Sequence, residues 1–164
     1  MQIRYTNFSI IINFMKDCLF CEFVSSKKDH NNGFPYLTIH ETKNTVSFLS
    51  INFPMYENGH TLVITKDHYA NLEDVPAKVQ HELVEHVSLI CKAVRKKHEA
   101  CNVLLNNGKV SGQSVFHVHF HIIPRDKGDN IEVEVWKKAK LTEKRFIEIT
   151  NRLKKRVENI LQEK

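Results

Sequence analysis

Residues 117–121 read His-Val-His-Phe-His, three imidazoles alternating with apolar side chains. A strand's two-residue period sends His117, His119 and His121 to one face and turns Val118, Phe120 and Ile122 to the other. With 10 histidines in 164 residues, chance supplies about 0.04 such runs in a chain of this length. An ordinary solvent-facing strand would use Thr, Lys or Glu as readily. Near neutral pH a row of imidazoles suits either metal binding or the handling of an anion and its protons. The residues just before it favour the anion. Asn106-Asn107-Gly108-Lys109-Val110-Ser111-Gly112-Gln113-Ser114 combines glycines that free the backbone with Ser and Gln donors, and exposed N–H groups in such a turn cradle phosphate oxygens. A second group, Cys18-x-x-Cys21, fits a redox pair, a metal knuckle or coincidence by its spacing alone.

The pattern along the chain predicts the elements that position these groups. Thr45–Ile51 and His60–Thr65 are runs of β-branched and aromatic residues and read as strands. Between Pro76 and His98, Val79, Leu83, Val87, Ile90 and Val94 recur at helical spacing, with Glu73 or Asp74 near the start. This places Cys91 on the apolar side and Cys101 just after the helix, each in ordinary packing, and His81, His86 and His98 on the surface. Val103–Asn106 begins a strand. Val115–Ile123 is another, ended by Pro124, and Ile131, Val133 and Val135 alternate with Glu132 and Glu134 as in an edge strand. A last helix starts at Thr142 and turns Phe146, Ile149, Leu153, Val157 and Ile160 inward. Together these predict an α+β domain on an antiparallel sheet of about five strands, with a central and a C-terminal helix.

The length fits one domain, residues 18–164, preceded by an extension over 1–17. Phe8–Met15 is interrupted by Asn13, preceded by a single Arg4 and followed by no small-residue cleavage site, so it does not read as a signal peptide. No apolar run is long enough to cross a bilayer. Without a convincing signal the four cysteines point to a reducing compartment, cytoplasmic or nuclear. The net charge of +5 is concentrated after residue 124, where 12 Lys and Arg stand against 8 Asp and Glu. That reads first as a solvated helix face and only second as a phosphate or nucleic-acid patch.

Cys18-Leu19-Phe20-Cys21, Gly59-His-Thr-Leu-Val-Ile-Thr-Lys-Asp-His68 and Asn106 through Arg125 together resemble the histidine triad (HIT) superfamily. The likeness runs from about Cys18 to about Trp136 and is strongest to the Hint and bacterial HIT branch. The resemblance implies nucleotidyl transfer or hydrolysis at the α-phosphate of purine nucleotide derivatives, in the manner of a nucleoside phosphoramidase. His119 matches the nucleophile that forms a covalent nucleotidyl-imidazole, His117 the residue whose carbonyl orients it, and His121 the histidine on the phosphate oxygens. Asn106, Gly112, Gln113 and Ser114 match nucleotide- and phosphate-binding positions, and His60 a buried histidine beside the triad. Ser50 stands where relatives carry an acid that bonds the ribose, and Thr65 replaces a customary proline. Several HIT proteins with this CxxC bind a structural zinc, whose ligands here would be Cys18, Cys21, His68 and His117.

The resemblance also implies a homodimer paired through the central helix and an adjacent strand; the lack of a long apolar run points to no membrane partner, and the basic final helix reads as a solvated face before it reads as a nucleic-acid patch. Two other readings stand beside the phosphoramidase. One is a dinucleoside polyphosphate hydrolase, because HFHIIPR resembles the fragile-histidine-triad branch. The other is a nucleotide-binding interaction module with vestigial catalysis. A branch that repairs adenylated DNA ends usually carries further nucleic-acid-binding segments that this sequence lacks.

Overall fold

The computed structural model describes residues 18–27, 29–31, 33–51, 59–133 and 142–163. The extension over 1–17 and the proposed strand positions Glu134 and Val135 lie outside them. The chain divides into two compact units, one ending at Ile131 and one beginning at Glu132.

Among the described residues the first unit begins with helix α1 (Leu19–Val24), followed by a two-residue ladder of β1 (His30–Asn31) and β2 (Phe34–Pro35). Then come β3 (Thr38–Glu41), β4 (Thr45–Leu49), β5 (Thr61–Thr65), α2 (Ala77–Val94), β6 (Ala100–Leu105) and β7 (His119–Arg125). The last five strands form one antiparallel sheet in the order β3-β4-β5-β7-β6. This is the predicted α+β architecture, and register explains how it presents the histidines. Phe48 lies opposite Leu62, Leu62 opposite His121, Val46 opposite Ile64 and Ile64 opposite His119. Directly paired residues share a face, so the histidines sit on the side where Cys18, Phe20, Val46, Phe48, Leu62 and Ile64 form a buried cluster under α1. The intervening Val118 and Ile122 join Val63, Val75, Leu83, Val87 and Ile90 under α2 on the opposite face. Both faces are covered, which is why every residue of β5 is buried.

Several expectations need correction. The triad strand begins at His119, not Val115, and Pro124 does not end it. Pro124 pairs with Cys101 on β6, beyond Ile122, the last residue paired with β5, so only one ladder flanks the residue that lacks an N–H. Residues 131–133 form no strand. The N-cap of α2 is Pro76, while Glu73 and Asp74 belong to a separate 3-10 turn. His86 is 2% exposed rather than on the surface. Its Nδ1 meets Thr45 Oγ1 at 2.7 Å and its Nε2 meets Ser47 Oγ at 3.0 Å.

The second unit contains α3 (Glu143–Gln162), capped as expected by Thr142, whose side chain accepts from Arg145 N–H. The expectation that its apolar residues turn inward fails: α3 has no buried residue, and Phe146, Leu153, Val157 and Ile160 are exposed.

Candidate active site

The site lies where β7 meets the loop before it. Residues 109–111 make a 3-10 turn closed by Gly112 at φ 93°, a left-handed conformation that suits glycine. Gln113 is buried and braces this turn: its Oε1 accepts from Gly108 N–H (2.7 Å) and its Nε2 donates to Ala70 O (2.8 Å). From there the chain enters His117 and β7.

Each triad histidine has a distinct role in the hydrogen-bond pattern. A carbonyl only accepts, so the 2.8 Å contact of His117 Nε2 with Thr65 O places the proton on Nε2 and leaves Nδ1 bare. By the same argument His119 Nδ1–H donates to His117 O at 2.6 Å, which leaves its Nε2 with the lone pair. His121 Nδ1 lies 3.0 Å from His60 Nε2, and its own Nε2 is buried with no hydrogen-bond partner among the described residues. Burial lowers all three pKa values: His117 and His121 fall to about 4, His121 further disfavoured by His119 and His60 as neighbours, and His119 falls as well. The row is therefore neutral at pH 7, the form in which an imidazole offers an unprotonated nitrogen.

His119, His121, His60, Ser50 and Ser114 line one open cavity, about 530 Å³ when the open solvent at its mouth is counted. Asn106, Gly112, Gln113 and His117 do not line it; Asn106 Nδ2 instead sits close beside Gly112. The apolar wall was not read from the sequence. It comes from Leu19, Phe20, Tyr36, Phe48, Leu49, Ile51, Leu62 and Val115, and the only sequence signal for it was the pair of apolar residues inside the CxxC.

Behind the triad, one potential ligand atom from each of Cys18, Cys21, His68 and His117 lies within 4.8 Å of the others. His117 Nδ1 is 3.5 Å from Cys18 Sγ and 3.6 Å from Cys21 Sγ, and His68 Nδ1 is 3.3 Å from Cys21 Sγ. A tetrahedral zinc with ordinary Zn–S and Zn–N bonds separates S from N by about 3.5 Å, so the set fits that ion. The bare Nδ1 of His117 faces the sulfurs while its Nε2–H is held by Thr65 O, as a metal-bound histidine is usually supported. Burial and the neighbouring Cys18 push the Cys21 thiol up to about 12, a cost that a bound cation offsets by stabilising the thiolate.

Fold and site together define a class: an antiparallel α+β domain with a His-x-His-x-His run that enters the strand beside a cavity, and a Cys2His2 cluster behind it. The profile of the HIT domain matches residues 34–128, and the chain belongs to the HIT family. It is 39% identical over 108 residues to the adenosine 5'-monophosphoramidase HNT1 of Saccharomyces cerevisiae, covering 66% of this chain and 62% of that enzyme. A crystal structure of a HIT family member from Bacillus subtilis is 30% identical with a TM-score of 0.72, covering 85% of this chain and 96% of the other. A zinc-bound histidine triad family protein from Mycobacterium smegmatis is 31% identical with a TM-score of 0.63, covering 76% and 86%.

Proposed function

We propose that this chain hydrolyses purine nucleotide derivatives at the α-phosphate, as a nucleoside phosphoramidase does, through a nucleotidyl-His119 intermediate. The observation that carries the reading is the 2.6 Å bond from His119 Nδ1–H to His117 O, which directs the lone pair to Nε2. In the first step Nε2 bonds to phosphorus as the bond from phosphorus to the leaving group breaks. The Nδ1–H bond to the carbonyl stabilises the positive charge that the ring acquires. In this reading His60 Nε2–H donates to His121 Nδ1, which leaves a neutral His121 with its Nε2–H to hydrogen-bond the departing nitrogen or oxygen, while the proton that this group takes up comes from solvent. Water then bonds to phosphorus and releases its proton to solvent. The P–N bond breaks, releasing the nucleoside monophosphate and restoring His119. Ser114, the residue of the preceding loop that lines the cavity, holds a phosphate oxygen.

The name of the yeast relative supports the phosphoramidase reading over dinucleotide cleavage. Arg125, the residue that prompted the dinucleotide alternative, is engaged by Asp129, Asn102 and Ile131 O and does not line the cavity. Cys18, Cys21, His68 and His117 would hold one zinc, which ties α1 to the sheet. The proposed assembly is a homodimer, in keeping with exposed Val84, Leu89 and Val103 on α2 and edge strand β6.

The test is a panel of adenosine and guanosine phosphoramidates beside diadenosine polyphosphates. Wild type should favour the phosphoramidates, and His119→Ala should lose about 10³-fold or more in kcat. Equal rates for the two proteins would overturn the mechanism. Elemental analysis should find one zinc per chain, lost in Cys18→Ser.

A further inference from the structure

The metal cluster and the nucleophile share a side chain, Phe20. Helix α1 has six residues, and its N-cap Cys18 makes no side-chain capping bond. A helix so short has little stability of its own in water; its place depends on what holds it. Cys18 and Cys21 bring it to His117 and His68. Phe20 lies between those cysteines, 4% exposed. Its ring stands edge-on to His119 at 5.3 Å between centroids, to His117 at 5.8 Å and to Phe48 at 5.6 Å. Leu19 and Phe20 also line the cavity. The described hydrogen bond of the His119 ring is the one from Nδ1 to His117 O, which leaves tilt about that bond to be set by packing.

We propose that Phe20 is a positioning residue through which metal occupancy of the Cys2His2 cluster sets the posture of the His119 imidazole and closes the apolar wall of the cavity. The metal seats α1, α1 seats Phe20, and Phe20 restricts the ring. This differs from a purely backbone route, in which the metal would act on His119 only through the carbonyl of His117. It rests on the hydrolase reading for its consequence in catalysis, though not for the contact itself.

The test uses the full chain with zinc bound, in wild type, Phe20→Leu and Phe20→Tyr. Each should retain one zinc per chain by elemental analysis. In Phe20→Leu, loss of an aromatic edge contact and of near-attack alignment should lower kcat about tenfold with KM changed by less than about threefold, and Phe20→Tyr should recover to within about threefold of wild type. A readout independent of substrate is the ring resonance of His119 in histidine-labelled protein at fixed pH, assigned by its absence in His119→Ala. Stripping the zinc should move that resonance in wild type and move it much less in Phe20→Leu. Equal movement in both would show that the metal acts through His117 alone, and an unchanged kcat in zinc-loaded Phe20→Leu would show that the ring positions nothing; either overturns the proposal. A wild type inert towards every nucleotide tested would overturn the hydrolase reading instead, and the paired resonances would still decide the role of Phe20.

Discussion

Ser50 is buried and lines the cavity beside His60, His119 and His121. No carboxylate lines that cavity among the described residues. A carboxylate accepts charge-assisted hydrogen bonds from both ribose hydroxyls and makes their loss costly, whereas a Ser hydroxyl offers only neutral and weaker ones. The chain should therefore discriminate weakly between ribose and 2'-deoxyribose. Competition between adenosine and 2'-deoxyadenosine phosphoramidates should give kcat/KM values within about threefold in wild type, and Ser50→Asp should raise the preference for ribose about tenfold, the size of one charge-assisted hydrogen bond. A strong ribose preference in wild type would mean that another group reads the sugar. The position was legible because the strand before it and the triad fix its alignment. Which apolar residues surround it was not, because Phe20 and Tyr36 are distant in sequence from Phe48 and Ser50 and meet them only in the folded chain.

Helix α2 shows where periodicity succeeds and where it stops. Val79, Leu83, Val87 and Ile90 face the core as their spacing predicts, but so does His86, against its expected place on the surface. A polar side chain one position before Val87 looks solvated unless the partner strand offers polar groups, and β4 does so with Thr45 and Ser47, both buried. Glu82 extends the network one turn earlier, accepting from Thr42 Oγ1, Asn44 N–H and Asn44 Nδ2. Burial, aided by repulsion from His40 and opposed by attraction to Glu82, lowers the His86 pKa from its usual 6.5 to about 4. Between these values the unfolded chain binds the proton and the folded chain does not. The stabilisation is thus present in full above about pH 6.5 and is lost as pH falls towards 4. Thermal unfolding midpoints should decline over that window, and His86→Gln should reduce the decline by up to one proton's worth while lowering stability at pH 7.5. Parallel pH profiles for the two proteins would show that His86 does not carry this linkage. The same limit explains α3: its stripe at helical spacing was read correctly as a helix, but spacing reveals which residues share a face, not what covers that face.

At the scale of the whole molecule, apolar side chains remain exposed in both units. On α2 and β6 these are Val84, Leu89 and Val103, and on α3 they include Phe146, Leu153, Val157 and Ile160. β6 is also an outer strand of the sheet, and an open strand edge invites pairing with another chain. A twofold axis beside β6 would pair it with its own copy, continue the sheet and bury the exposed residues of α2 against their equivalents. Light scattering should then report about twice the 19.2 kDa chain mass. Val103→Glu introduces a like-charge pair across such an axis and should shift the protein to 19.2 kDa while preserving one zinc per chain, because the cluster is built from α1, His68 and His117. If wild type already has the single-chain mass, the dimer proposal fails. If Leu153→Glu divides the assembly while Val103→Glu does not, association runs through the stripe of α3. The two substitutions separate these cases because the apolar surfaces lie on different elements, so a charge on one leaves the other intact.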